Sequence, residues 1–256
     1  MKISEYRSSK IKLAGNPKTP KEILERLSKD KDIRIRVCVA ENPNTPPEIL
    51  AKLSKDENKD IRRLVARNPH SPKEILIEFS KEKEMKAEVA LNIKTPEEVL
   101  SRLAEDENYV VRLRVALNPK TPKNVLSKLS KDKNDAVKEA VASNPNTPKN
   151  ILAILSKESY WRIRKSVALN PHTPKKIFEK LAKDKESRVR RDLAKNPYTP
   201  KDILAKLSKD TDVFVRWGVA KNPNTPIKVL NQLRNDKDPY LSHNAQVYYN
   251  FRALEF

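Results

Sequence analysis

The sequence predicts an all-α fold, a solenoid built from about nine two-helix repeats, and three observations lead to this prediction. A box with the pattern Asn-Pro-x-Thr-Pro recurs nine times, at intervals of 26 residues with a single interval of 24. An apolar pattern of helical period follows each box, and a second apolar segment precedes the next one. Fixed periods of about 20–50 residues are typical of solenoids. The box asparagines are Asn16, Asn42, Asn68, Asn92, Asn118, Asn144, Asn170, Asn196 and Asn222.

Each box is predicted to start the first helix of its repeat, helix A, which we expect to run for about ten residues. The Thr or Ser of the box fits an N-cap, since its hydroxyl can accept a backbone N–H. The Pro that follows fits the first helical position, where a missing N–H costs nothing. In the first four repeats a Glu two residues later completes a capping box. Ile23, Leu24 and Leu27 fall within an arc of about 100°, so one face of helix A is buried.

A Ser-Lys-Asp turn, as in Ser28-Lys29-Asp30, is predicted to lead into the second helix, helix B. Helix B is the shorter helix in this prediction, at about nine residues, a length that suits an α-helix or a partly 3₁₀ helix. It ends at the next box, where Pro pushes the preceding Asn toward the extended region. The Asn side chain can then bond backbone groups left open at the end of helix B. Stacked repeats would therefore form an asparagine ladder.

The pattern divides the chain into an N-terminal partial repeat at 1–15, a repeat array at 16–233 and a C-terminal capping helix at 234–256. In the fourth box Ile93 replaces Pro, and the 24-residue interval precedes it, so we assign the missing residues to the loop at 81–84 and expect an irregular superhelix there. The last helix is predicted to start at Asp238-Pro239. Six of its residues are expected to cover the last open face: Tyr240, Leu241, Ala245, Val247, Tyr248 and Phe251.

The composition indicates an elongated, basic protein. It is 37% hydrophobic and 34% charged, which suits a thin stack that exposes much surface per residue. With 54 Lys and Arg against 34 Asp and Glu, the formal charge of +20 favours acidic or phosphate-rich partners. Abundant Lys and Glu also fit a thermophilic source. The single Cys38 excludes an internal disulfide, and no run of apolar residues has the length of a signal peptide or a membrane span, so we expect a cytoplasmic protein.

The repeat resembles the leucine-rich repeat variant family. The resemblance is carried by Val-Arg-x-x-Val-Ala-x-Asn-Pro-x-Thr-Pro followed by Leu-x-x-Leu, and it covers residues 9–233. It implies a right-handed α-solenoid related to HEAT and armadillo repeats, in which the second helix can be 3₁₀, and a role as a repeat module. One type of family member carries an amino-terminal iron–sulfur cluster. With Cys38 alone, that cluster does not carry over.

A basic residue stands six positions before each box asparagine. Its helical angle, about 100° from the apolar residue that precedes it, lies inside the apolar arc of helix B. A charge placed there must be paired, and the acidic residue six positions earlier is the predicted partner. A structural ladder that ties repeats together is favoured over a row of phosphate-binding residues. The arginines of this basic ladder are Arg36, Arg62, Arg112, Arg164, Arg190 and Arg216.

The solvent-facing positions of helix B vary between repeats, as a binding surface would on a fixed scaffold. Between residues 160 and 217 they are rich in cations and rings, which predicts a partner-binding surface for protein or nucleic acid. In the competing interpretation the rings of Trp161 and Phe214 close gaps between repeats, and the arginines are solvated or pair with Asp192 and Glu186. The candidate residues are Trp161, Arg162, Lys165, Arg188, Arg191, Phe214 and Trp217.

Signatures of catalysis and of metal binding are not found in the sequence. His70 and His172 share one box position but lie four repeats apart, and His243 lies in the cap. Cys38 has no local histidine to activate it. Two glycines, Gly15 and Gly218, cannot form a Gly-rich phosphate loop. An enzyme would need a deep pocket around Asp192, the only acid placed near two tryptophans.

These observations predict a non-enzymatic scaffold without cofactor or metal. Its predicted partner is a protein or peptide held on the helix B surface, mainly in the C-terminal half. Binding of a nucleic-acid backbone by the same residues is the alternative. Neither a membrane nor a small-molecule substrate is expected, and the oligomeric state is left open.

Overall fold

The structure, a computed structural model, describes residues 3–254 of the chain. These residues form 19 α-helices and no strand, and two kinds of helix alternate with the period of the boxes. The prediction of an all-α array of two-helix repeats is confirmed. The outermost residues of the two predicted caps, Met1, Lys2, Glu255 and Phe256, lie outside the described residues. None of the helices within 3–254 has both the length and the apolar character that crossing a membrane requires.

The helices belong to two compact units, Met1–Val125 (unit 1) and Leu126–Phe256 (unit 2). Unit 1 contains α1 (Ile3–Gly15), α2 (Lys21–Leu27), α3 (Ile33–Glu41), α4 (Pro47–Leu53), α5 (Lys59–Arg67), α6 (Lys73–Phe79), α7 (Lys86–Leu91), α8 (Glu97–Leu103) and α9 (Tyr109–Leu117), and α10 (Lys123–Leu129) contains the boundary. Unit 2 contains α11 (Asp135–Ser143), α12 (Lys149–Leu155), α13 (Trp161–Leu169), α14 (Lys175–Leu181), α15 (Ser187–Lys195), α16 (Lys201–Leu207), α17 (Val213–Lys221), α18 (Ile227–Leu233) and α19 (Pro239–Ala253). Even numbers denote helix A and odd numbers helix B.

The predicted lengths of the two helices were wrong. Helix A spans seven residues, and helix B spans nine in α3 and its regular counterparts, so helix B is the longer one. It is an α-helix and not 3₁₀, since the N–H of Asn42 donates to the Cys38 carbonyl at 3.0 Å. A side chain caps the start of several of these helices: the Asp32 carboxylate accepts the Arg34 N–H at 3.1 Å. The same caps are Asn58, Asn108, Asn134 and Asp212.

The box threonine is not the N-cap of helix A. The N-cap residue of α4 is Pro46, without a side-chain hydrogen bond, so the predicted capping box does not form there. The Thr45 hydroxyl instead donates to the Val39 carbonyl at 2.6 Å, in the last turn of helix B. Helix ends leave carbonyls without partners, and a buried hydroxyl needs an acceptor. The box Thr therefore completes the helix that ends, rather than the one that begins.

The box asparagines form the predicted ladder between repeats. The Asn68 amide donates to the carbonyls of Ala40 at 2.9 Å and Asn42 at 3.0 Å, both in the preceding repeat. Its Oδ1 accepts the His70 N–H at 2.9 Å. Because Asn68 is buried, each of these bonds replaces water for a polar group that would otherwise lack a partner. Asn42, Asn92, Asn118, Asn170 and Asn222 bond in the same way.

The fourth repeat is irregular where its box interval is short. Helix α7 has six residues because its first turn is replaced by a loop that ends at Met85. Met85 is fully buried and keeps the apolar position seven residues before Asn92. The two missing residues thus shorten the start of helix B and leave its apolar face in register.

The C-terminal helix packs differently from the prediction. Leu241 and Ala245 are buried, but Tyr240, Val247 and Phe251 are exposed and do not cover the preceding repeat. The Arg252 guanidinium donates to the carbonyl of Asn222 at 2.6 Å, the atom that a next box asparagine would contact. A cation therefore ends the asparagine ladder.

Helix B orients its side chains by the same rule throughout unit 2. In α13 the residues seven and three positions before the box asparagine, Ile163 and Val167, are fully buried. At about 100° per residue, positions eight, five and one residues before the asparagine then face away from the core. The outer surface of helix B in unit 2 is thus made of these three positions in successive helices.

Candidate functional site

The basic ladder forms ion pairs between successive repeats. Arg190 Nε lies 2.7 Å from Asp210 Oδ2, and Nη2 lies 2.9 Å from Oδ1. Its Nη1 donates to the Asp184 carbonyl at 2.6 Å. Pairs with the same spacing are Lys10–Asp30, Arg36–Asp56, Lys86–Asp106, Lys138–Glu158, Arg164–Asp184 and Arg216–Asp236.

The predicted partner assignment was wrong by one repeat. The sequence predicts Asp184, six positions earlier, as the partner of Arg190, but the Asp184 carboxylate binds Arg164 of the preceding repeat at 2.6 Å. It also accepts the Glu186 N–H at 3.0 Å, a turn contact that orients it toward that repeat. Burial opposes ionisation of Asp184, but the hydrogen bonds from Arg164 and from the Glu186 N–H outweigh it, so its pKa is lowered.

One ladder arginine, Arg62, departs from this pattern. Arg62 donates to the backbone carbonyls of Asp56 and Glu57, and within residues 3–254 it forms no ion pair, because Glu82 lies exposed in the irregular loop of the fourth repeat. Arg112 is buried and donates to the Asp106 carbonyl at 2.8 Å. Backbone carbonyls of the turn are thus the acceptors that these arginines share with the rest of the ladder.

The seven candidate binding residues all lie on three successive helices B of unit 2. Helices α13, α15 and α17 pack side by side. Six of the seven residues occupy the outward-facing positions eight and five before the box asparagine. The seventh, Trp161, directly precedes Arg162. We call these seven residues, together with Lys195, Lys221 and Tyr240, the basic-aromatic surface.

Trp161 organises one end of this surface. The Arg162 guanidinium lies 5.6 Å from its ring centroid, and that of Arg188, from the next helix, lies 5.1 Å away. Such cation–π contacts contribute about 0.5–1 kcal/mol each at exposed sites. They hold two guanidinium groups at the surface and place them against the ring faces of Trp161.

Asp192 is a buried carboxylate at the centre of the surface. Lys165 Nζ lies 3.6 Å from Oδ2, and Arg191 Nε lies 3.5 Å from Oδ1. The competing interpretation paired arginines with Asp192, and this contact is present. Lys165 and Arg191 remain partly exposed, with 34% and 37% of their side chains accessible, so both cations can still contact a partner.

The third helix of the surface carries rings. Phe214 is 63% exposed and does not close a gap between repeats, contrary to the competing interpretation. Trp217 is half-buried, with Lys221 Nζ 5.3 Å from its ring centroid. Gly218 allows the close approach of α15 and α17, since a Cβ there would lie 2.9 Å from the Ala194 Cβ.

Sequence reasoning missed three outward-facing residues of this surface. Lys195 and Lys221 stand one position before their box asparagines, and Tyr240 shares the position of Phe214 on the next helix B. The helical angles of these positions, inside the outward arc, were the signal that could have found them.

A buried acid in unit 1 was also missed. Glu88, four positions before Asn92, accepts from Arg67 Nε at 2.6 Å and from Arg114 Nη1 at 2.9 Å. Burial opposes ionisation of Glu88, but the two arginines outweigh it and lower its pKa. Asp192 occupies the same position in its repeat. An acid four positions before the box asparagine is therefore the sequence signal that the two residues share.

The surface offers charged groups and aromatic rings to a partner. Its cations present several N–H donors, which suit carboxylates and phosphates. Burial raises the pKa of the Cys38 thiol, which disfavours the reactive thiolate. Within the described part of the chain, no three or more His, Cys, Asp and Glu side chains are grouped to hold a metal ion.

Comparison with known proteins gives structural likeness only. No protein-family model matches the chain, and no curated protein is similar to it. A leucine-rich repeat variant with a novel repetitive motif is 22% identical, with a TM-score of 0.49 over 89% of this chain and 81% of that chain. The YibA protein of Escherichia coli is 17% identical, with a TM-score of 0.41 over 98% of each chain. A designed armadillo repeat protein is 14% identical, with a TM-score of 0.18 over 97% and 94%.

Proposed function

We propose that the chain is a non-enzymatic scaffold that binds an acidic segment of a partner protein on its basic-aromatic surface. One observation carries this proposal. On α13, α15 and α17 the outward positions hold six cations and no carboxylate, and Asp192, the one carboxylate in these three helices, is buried and already contacted by Lys165 and Arg191. The cations are Arg162, Lys165, Arg188, Arg191, Lys195 and Lys221.

Charge complementarity of this kind favours an acidic partner. Arg162 and Arg188 are held against Trp161, which reduces the side-chain freedom lost on binding. The ladder cations do not contribute, because their carboxylate partners are supplied by the neighbouring repeat.

The state of the two tryptophans favours a protein segment over single-stranded nucleic acid. Bases stack on open aromatic faces. Trp161 has guanidinium groups against its ring, and Trp217 is half-buried beneath Lys221.

The test is fluorescence anisotropy with a labelled Glu-rich peptide of about 12 residues, long enough to cross three helices. We expect saturable binding that weakens at least tenfold between about 50 and 200 mM salt, and at least tenfold on Arg188→Glu/Arg191→Glu. A matched control, Lys149→Glu/Lys201→Glu on α12 and α16, changes the net charge equally and should leave binding within twofold. Equal loss in both variants would contradict the surface assignment. Tighter binding of mixed-sequence DNA than of the peptide would support the nucleic-acid alternative.

A further inference from the structure

The basic-aromatic surface changes character along its length. At eight positions before the box asparagine, successive helices carry Arg162, Arg188 and Phe214, and Tyr240 has the equivalent position in α19. At five positions before it they carry Lys165, Arg191 and Trp217, and His243 has the equivalent position in α19. Cations on α13 and α15 are therefore followed by rings on α17 and α19, and α17 packs against both α15 and α19.

The rings at this end are not needed for the core. Phe214 is 63% exposed and Tyr240 is 76% exposed, while Val215 and Leu241, one residue later, are fully buried and pack inside. Large apolar side chains exposed on neighbouring helices are typical of contact sites for partners. Together with the half-buried Trp217 they make an apolar patch that adjoins the cations of α15.

We propose that the partner segment is bipartite, with an acidic stretch that contacts the cations of α13 and α15 and a bulky apolar residue that contacts Phe214, Trp217 and Tyr240. This inference rests on the proposed function and specifies its ligand. Charge complementarity selects the acidic stretch, and the exposed rings select the apolar residue.

The spacing of the two parts follows from the geometry of the helices. Neighbouring helices pack about 8–10 Å apart. An extended chain advances about 3.3 Å per residue, so it crosses one helix in about three residues. The rings lie one to two helices beyond α15. The acidic stretch is centred between α13 and α15, so the apolar residue should stand about four to eight residues from that centre.

The test compares four labelled peptides. One carries six glutamates among glycine and serine, two add a tryptophan about five residues beyond the acidic centre at either end, and one keeps the tryptophan with serine in place of glutamate. We expect one tryptophan-containing acidic peptide to bind about tenfold or more tightly than the purely acidic one. The serine peptide should not bind measurably.

Variants of the chain test whether the rings of Phe214 and Tyr240 cause the tighter binding of the tryptophan-containing peptide. Phe214→Ala/Tyr240→Ala should abolish the advantage of the tryptophan and leave the affinity of the purely acidic peptide within twofold. Both side chains are exposed, so the fold should persist, and the melting temperature checks this. Tyr198→Ala removes a ring of similar exposure, 61%, from a box turn and should preserve the advantage.

The outcomes separate this inference from the proposed function. If no acidic peptide binds, the proposed function fails. If all acidic peptides bind equally, with or without tryptophan, the bipartite ligand is wrong while the acidic partner stands. If Tyr198→Ala removes the advantage as strongly as Phe214→Ala/Tyr240→Ala does, the contact with the apolar patch is wrong.

Discussion

The Arg190 guanidinium contacts the Asp210 carboxylate of the next repeat with two nitrogens, at 2.7 and 2.9 Å. Its third nitrogen contacts the turn that leads into its own helix. One side chain thereby ties a turn, a helix and the neighbouring repeat together. The cations that serve the fold are thus distinct from those that face a partner.

Removing the acid of this pair is expected to cost more than replacing the arginine by an apolar residue. Asp210→Ala strands the partly buried Arg190 and should lower the free energy of unfolding by about 1–3 kcal/mol. Arg190→Met should cost less, because the apolar stem still packs and Asp210 keeps the hydrogen bond from the Asp212 N–H at 2.9 Å. Glu82→Ala is the control, since Arg62 has no ion pair with it, and it should change stability by less than about 0.5 kcal/mol. Urea denaturation measures all three, and equal effects would contradict an interior pairing.

The asparagine ladder gives a second stability prediction. Asn68→Ala removes two donated bonds and one accepted bond at a buried site, so we expect a loss of about 2–4 kcal/mol. Asn16 is exposed and accepts one N–H, from Lys18. Asn16→Ala should therefore cost about 1 kcal/mol or less. A similar loss at both positions, measured by urea denaturation, would mean that the bonds between repeats contribute little.

Low pH should weaken the ladder. The hydrogen bond from Arg216 lowers the pKa of Asp236 below its ordinary value of 3.8, although burial opposes this. A depressed folded-state pKa stabilises the fold above the unfolded pKa, and the contribution is lost as pH falls through the folded value. The melting temperature should drop from about pH 5 to about pH 2.5, and less so in Arg216→Met/Asp236→Leu. If the melting temperature of that variant falls with pH as steeply as that of the unchanged chain, the Arg216–Asp236 pair is not a source of the pH dependence.

Gly218 should be required for the close packing of α15 and α17. Ala is a better helix former by about 1 kcal/mol, yet a Cβ at this position meets Ala194 Cβ at 2.9 Å. We expect Gly218→Ala to lower the melting temperature. Gly15 has no heavy atom within 4 Å of its Cβ position, so Gly15→Ala should be neutral or stabilising. A higher melting temperature in both variants would show that α15 and α17 can move apart without loss of stability.

The period of the boxes was enough to predict the helices, because Pro, Asn and apolar spacing act locally. The direction of the Thr45 hydrogen bond was not predictable, since a hydroxyl can donate or accept and only the folded turn decides. The partner of Arg190 needed the stacking register, which the sequence of one repeat does not contain.

The candidate surface could be predicted in part, because helical angles are a local property of the sequence. Helical angles placed Arg188 and Phe214 on the outside. The contact of Arg188 with Trp161, and of Lys221 with Trp217, depends on how closely neighbouring helices approach, and Gly218 sets that distance for one pair.

The two tryptophans of the chain, Trp161 and Trp217, both lie on the basic-aromatic surface, so their indole N–H signals report directly on whether a partner binds there. The decisive measurement is a titration of the ¹⁵N-labelled chain with the Glu-rich peptide, followed by ¹H–¹⁵N spectra. We predict that both indole signals shift and saturate with the dissociation constant found by anisotropy. Saturable binding that leaves both indole signals in place would contradict the assignment of this surface.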